Sequence, residues 1–201
     1  MRDLSSGGAR VVRRLVCRPE ADEEVVRSLK AGDAVELTGE LLTLRDATAQ
    51  RLADLIERGE ALPVDLRGRL LYAVGPSPPR PGQVVGSAGP TTTERMARFL
   101  PVFFEAGARG IIGKGELHGE IVDSFVRHRA VYLAAVGGAG ALLARHVVAA
   151  EVVAFGELGP EAVYRFEVRD FPAVVVIDTS GANFHELARQ AWRRAQPAGG
   201  G

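Results

Sequence analysis

Four short apolar runs most constrain how this chain can fold. "RLLYAV" (69–74), "RGIIG" (109–113), "AVYLAAV" (130–136) and "FPAVVVID" (171–178) are too short for full helices and too evenly apolar for strands wet on one face. Runs of this kind read as strands buried on both faces, as in parallel or mixed sheets covered by helices. Helix-period segments lie between them. "RDATAQRLADLIERG" (45–59) puts Ala49, Leu52, Ala53 and Ile56 on one face, and Gly59 is a natural stop. Met96, Phe99, Leu100 and Phe103 form a second apolar face that Gly107 ends. Residues 117–129 and "NFHELARQAWRRA" (183–195) read as further helices, and "EADEEVVRSLKAGD" (20–33) as a short amphipathic one closed by Gly32. "AVELTGELLTL" (34–44) alternates as a strand, with Gly39 marking a bulge or close approach. "HVVAAEVVAF" (146–155) and "AVYRFEV" (162–168) complete the strand set, and "GPSPPRPG" (75–82) can only be a loop. The expected fold class is α/β, with a mixed, largely buried sheet and flanking helices. Residues 1–18 read as a mobile arm, 19–197 as a single domain and 198–201 as a tail.

Charge and cysteine content then narrow the function. Lys plus Arg and Asp plus Glu each number 25 in the 201 residues, so no net field draws nucleic acid or an anionic membrane. No run of about 20 apolar residues predicts a membrane span. The N-terminus has arginines but no apolar run before a signal cleavage site, so the expected location is the cytoplasm. Cys17 stands alone and can neither form an intramolecular disulfide nor hold an iron–sulfur cluster by itself. His118, His128, His146 and His185 show no metal-ligand spacing, so no metal site is expected from this chain alone.

Within 85–120, "VGSAGPTTTERMARFLPVFFEAGARGIIGKGELHGE" crowds Thr91, Thr92, Thr93, Arg95 and Lys114 together. Thr91 to Glu94 matches the S/T-x-x-E capping box, in which Thr91 caps a helix and Glu94 returns the hydrogen bond. The same residues suit an anion: Thr91 and Thr92 add hydroxyl donors, and Arg95 adds a planar fork for a carboxylate. Gly113 and Gly115 flank Lys114 after a strand, which fits either a tight turn or a close backbone approach at a strand's carboxyl end. Arg45-Asp46 sits where a strand becomes a helix, as a surface pair or as a second guanidinium aimed at an anion. "VGGAGALLA" (136–144) lacks the third glycine of a dinucleotide fingerprint and reads as a tight strand-to-helix turn.

"VRSLKAGDAVELTG", "LRDA", "GPTTTERM", "GIIGKG", "VGGAGALLA" and "GPEAVYRFEVRDFPAVVVID", in that order from Val26 to Glu186, resemble the β subunit of class I fumarate hydratase and L-tartrate dehydratase. The same unit forms the C-terminal part of single-chain class I fumarases. The resemblance implies a swivelling β/β/α domain and a hydro-lyase, most closely fumarate hydratase, with L-tartrate dehydratase second. A non-catalytic paralogue that binds a small organic acid is the rival from another class. The resemblance also implies a [4Fe–4S] cluster held by an α subunit, with activity only beside that subunit, a four-carbon dicarboxylate substrate, and a dimer of heterodimers. By the same resemblance Thr91 and Thr92 are the catalytic pair, with Thr91 near proton abstraction, and Arg45, Arg95 and Lys114 bind substrate carboxylate. The chain departs from the family pattern at Ala49, where histidine is frequent, at Thr93 and Glu94, where small residues are common, and at Glu116, where asparagine is.

Overall fold

The computed structural model describes residues 12–18 and 23–195. In chain order the elements are β1 (Arg13–Cys17), α1 (Glu23–Ser28), β2 (Ala34–Leu44), α2 (Asp46–Glu57), β3 (Leu70–Ala73), α3 (Leu100–Glu105), β4 (Gly110–Gly113), α4 (Glu120–His128), β5 (Val131–Ala134), α5 (Gly140–Ala144), β6 (Val147–Ala154), β7 (Val163–Ile177) and α6 (Phe184–Ala195). Two 3-10 segments, Thr93–Phe99 and Gly156–Glu161, precede α3 and β7. The expected α/β class and mixed sheet are present.

β2, β3, β4 and β5 run parallel and adjacent, with Leu42 opposite Leu71, Leu70 opposite Gly110, and Gly110 opposite Val131. β7 runs antiparallel to both outer members. Its Val174 faces Ala34 of β2 on one edge and Ala134 of β5 on the other, which closes five strands into a barrel-like ring. The first half of β7 gives its free edge to β6, and β1 lies parallel to the first half of β2. Gly39 (φ 122) sits at the register shift between β2 and β7, and a side chain there would run into the Cys17 carbonyl oxygen. The bulge and the close approach expected at this glycine therefore coincide.

Two expectations are corrected. Part of the segment read as a mobile arm is β1, which buries Leu15 and Cys17. Residues 1–11 and the tail lie outside the described residues. The two strands expected at 162–168 and 171–178 are one strand, β7, bent at Asp170 (φ 49), whose N–H donates to Thr38 Oγ1 (3.0 Å). That cross-strand bond keeps the bend paired, so the chain turns without leaving the sheet.

Alternation along the ring strands feeds two core layers. Tyr72, Ile112, Leu133, Phe166, Phe171 and Val175 face one layer with Leu15 and Leu29. Leu71, Ile111, Tyr132 and Val176 face the other, under Leu52 of α2, Phe103 and Phe104 of α3, and Phe125 of α4. β3 and β4 are buried throughout, as the apolar runs predict. Among the described residues no helix is long and apolar enough to cross a membrane.

Candidate functional site

Because β2 to β5 are parallel neighbours, their carboxyl ends form one rim, the place where α/β sheets bind ligands. All five residues singled out in sequence lie on it. Arg45 follows the last residue of β2, and Lys114 follows the last residue of β4. Thr91 and Thr92 come from the long connection after β3, which crosses the rim as an improvised strand. Pro90 bridges Val74, and the Thr91 N–H donates to the Ala73 carbonyl (2.7 Å). The Lys114 N–H donates to the Thr91 carbonyl (3.2 Å), and the Thr93 N–H to the Lys114 carbonyl (2.9 Å).

This pairing replaces the expected capping box. Thr92, not Thr91, occupies the cap of the Thr93–Phe99 segment, with no side-chain cap bond. The segment opens as a 3-10 turn because the backbone around Thr91 and Thr92 is already committed to β3 and Lys114. Among the described residues the half-buried Thr91 and Thr92 hydroxyls have no hydrogen-bond partner. They are donors and acceptors left open at the rim.

Thr93 has a different task. It is buried, and its hydroxyl bonds Tyr132 Oη (3.2 Å), which in turn donates to the Gly115 carbonyl (2.9 Å). Burial pushes the Tyr132 phenol up to about 12, with the Thr93 bond opposing, so it stays a donor. Gly113 is glycine because Thr93 Oγ1 occupies the place of its side chain. Gly115 is glycine because the turn takes φ 91 there. The glycines around Lys114 thus serve a tight turn clasped by Thr93, and they leave the exposed Lys114 ammonium without a hydrogen-bond or ionic partner among the described residues.

The two arginines meet through Asp46. Arg95 Nε donates to Asp46 Oδ1 (2.9 Å), and Arg45 Nη2 lies 3.6 Å from Asp46 Oδ2 and 3.7 Å from Glu161 Oε1. Arg45 Nε and Asp46 Oδ2 are buried with no hydrogen-bond partner among the described residues. Glu161 also accepts the Ala47 N–H (2.8 Å), which supplies α2 with the cap that Arg45 cannot provide. Arg45 threads beside Gly75, where an added Cβ would stand 2.6 Å from Arg45 Cδ and 3.0 Å from the Pro160 carbonyl oxygen.

The family departures find local reasons. Ala49 is fully buried on the inner face of α2, so that position serves the core layer. Glu116 turns toward α6, where Arg189 Nη1 donates to both its oxygens (3.0 and 2.8 Å) and lowers its pKa. Glu94 is exposed and forms no ion pair with Arg95. "VGGAG" makes the tight strand-to-helix turn expected, with Gly140 packed against Gly89 and Ser87. Glu161, Tyr132 and Arg189 are participants that sequence reasoning did not single out, and Asp46 entered it only as the surface partner of Arg45. Only Asp46 and Glu161 carried a signal, as members of the quoted "LRDA" and "GPEAVYRF".

Cys17 does not fit a cluster ligand. It is 5% exposed on β1, and burial pushes its thiol up to about 12, whereas a ligand must be a thiolate. No group of three or more His, Cys, Asp or Glu among the described residues is arranged to hold a metal.

A mixed α/β ring thus gathers Arg45, Arg95, Lys114 and two open threonine hydroxyls on the rim where its parallel strands end. Sequence comparison gives the lineage: a family model described as Fumarase C-terminus matches residues 5–188, and the chain belongs to that family. It is 38% identical over 167 residues to the Methanocaldococcus jannaschii protein named "Putative L(+)-tartrate dehydratase subunit beta", covering 80% of this chain and 86% of that one. It is 35% identical to "Fumarate hydratase 2" of Leishmania major over 77% of this chain, and 34% identical to "Fumarate hydratase class I, anaerobic" of Escherichia coli over 76%. The chain spans 28% of the length of each of those two fumarate hydratases.

Proposed function

We propose that this chain is the β subunit of an iron–sulfur-dependent hydro-lyase, and that it acts on a four-carbon dicarboxylate in the cytoplasm. Fumarate and malate are the first pair to test. One observation carries the reading: Arg45, Arg95 and Lys114 converge on the same rim as two unpartnered threonine hydroxyls. A dianion needs several cations, and among the described residues only the Nε of Arg95 is engaged, which leaves its terminal nitrogens to grip a carboxylate. Arg45 and Lys114 add charge on either side. Thr91 and Thr92 stand where a hydroxyl can donate to, or help withdraw a proton from, a bound substrate. The cluster, which Cys17 cannot hold, resides on an α subunit docked over the rim. There it supplies Lewis-acid chemistry for the departing hydroxyl. We read the domain as the family's swivelling β/β/α architecture and expect a dimer of heterodimers as the assembly. L-Tartrate is the second substrate, favoured by the Methanocaldococcus jannaschii relative, whose name makes it a separate β subunit of nearly matching length.

The test is anaerobic co-expression with a cluster-bearing α subunit, followed by assays of fumarate, malate and tartrate turnover. Arg95→Lys keeps charge but loses the fork, and kcat/KM should fall at least about tenfold. Thr91→Ser should retain more activity than Thr91→Ala. Near-normal turnover of Arg95→Lys, or no turnover of any of the three acids by the assembled wild type, would overturn the reading.

A further inference from the structure

We infer that Asp46 is a positioning residue of this site: its carboxylate holds the Arg95 guanidinium by Nε beside that of Arg45, so that the two arginines face a ligand as one unit. The inference rests on the hydro-lyase reading above and assigns a task to a residue outside its catalytic and binding set. Arg95 is more than half exposed, and an exposed arginine samples many rotamers. The Asp46 bond at 2.9 Å is the one anchor its side chain has among the described residues. It engages Nε, the one nitrogen that an end-on grip on a carboxylate does not need. The carboxylate also stands between two like charges, with Arg45 Nη2 3.6 Å away, and so offsets the repulsion that would drive the guanidinium groups apart.

Asp46 is itself held firmly. It opens α2, whose first turn is tied down by Ala47 N–H to Glu161 and by the Thr48 hydroxyl to the Glu161 carbonyl. The second oxygen of Asp46 and the Nε of Arg45 are buried without hydrogen-bond partners, so this cluster is unfinished by the described residues. A structure optimised only for a surface ion pair has no reason to leave two buried polar atoms unpaired. The bland alternative is a first-turn acid in an exposed salt bridge, and such pairs contribute little.

Kinetics of the assembled two-subunit enzyme, with whichever of fumarate, malate or L-tartrate the wild type turns over, decide between them. Asp46→Asn keeps the shape and removes the charge; its KM should rise at least about fivefold while kcat changes less. Asp46→Glu, which restores the charge, should recover part of that loss. A double-mutant cycle supplies the readout that a structural role would not move. Once Asp46→Asn is present, adding Arg95→Lys should cost much less than it does in the wild type. Wild-type KM in Asp46→Asn, or full additivity of the two changes, overturns the positioning role while a damaging Arg95→Lys keeps the site. A silent Arg95→Lys brings down both.

Discussion

Thr93 and Gly113 show how closely the rim is machined at single positions. Thr93 has no exposed surface and reaches across to Tyr132, and the space beside its hydroxyl is the space a side chain on Gly113 would need. Gly113→Ala should therefore destabilise the protein by roughly 1–3 kcal/mol through overpacking. It should also lower turnover in the assembled enzyme, because relief comes by moving Thr93 or the Lys114 turn. Melting temperature and activity measured on the same preparation check this, and an unchanged protein would mean that Thr93 has another rotamer to adopt. At this scale the sequence was informative about residue types and poor about partners. Arg45, Arg95 and Lys114 were legible as cations in turn contexts. That Asp46 links two of them was not, since Arg95 lies 49 positions further along the chain. The S/T-x-x-E pattern suggested a capped helix, because a local pattern cannot register that the Thr91 backbone is already bonded to Ala73 and Lys114.

Among the elements, the strands buried on both faces were the easiest to recognise and the edge strand the hardest. β1 shows only Leu15 and Cys17 to the core, and arginines and glycines around it hide the alternation. The β7 sequence reads as two strands because Arg169-Asp170 interrupts its apolar run, although the bend stays paired through Thr38. The junction after β7 carries its own prediction. Asp178 is buried, and its carboxylate accepts from the Ala31 N–H (3.1 Å), the Ser180 N–H (2.8 Å), the Ser180 hydroxyl (2.6 Å) and the Ala182 N–H (3.3 Å). It ties the turn before β2 to the turn before α6. Burial alone would raise its pKa, but the Ser180 hydroxyl and the three N–H groups outweigh that and lower it. The sign follows from linkage. The contribution is complete above the ordinary carboxylate value of 3.8 and is lost as pH falls through the lowered one. Asp178→Ala should cost roughly 3 kcal/mol at neutral pH, because it orphans several donors, and should flatten the acid limb of stability against pH. Denaturant titrations of both proteins at neutral and acid pH measure it. An equal acid limb in the variant would remove Asp178 from the account.

For the molecule as a whole, the ring joins segments far apart in sequence, and this explains both what was readable and what was not. Propensity and periodicity located the strands, while the strand that pairs both β2 and β5 had to await the structure. One more property follows from the position of β7. Among the described residues it is the last strand in chain order, and it holds both sides of the seam, with Val174 facing Ala34 of β2 and Ala134 of β5. Until β7 is made, the parallel strands have nothing to shut against, and the edges of β2 and β5 that it pairs stay open. Closure then joins positions more than half the chain apart, an entropic toll that slows folding. A chain stopped after Ala162 should show no cooperative thermal transition and should bind a hydrophobic dye, while the full chain folds in one step. If the shortened chain melts cooperatively, the four parallel strands are a folding unit in their own right, and β7 is a clasp added to a finished body.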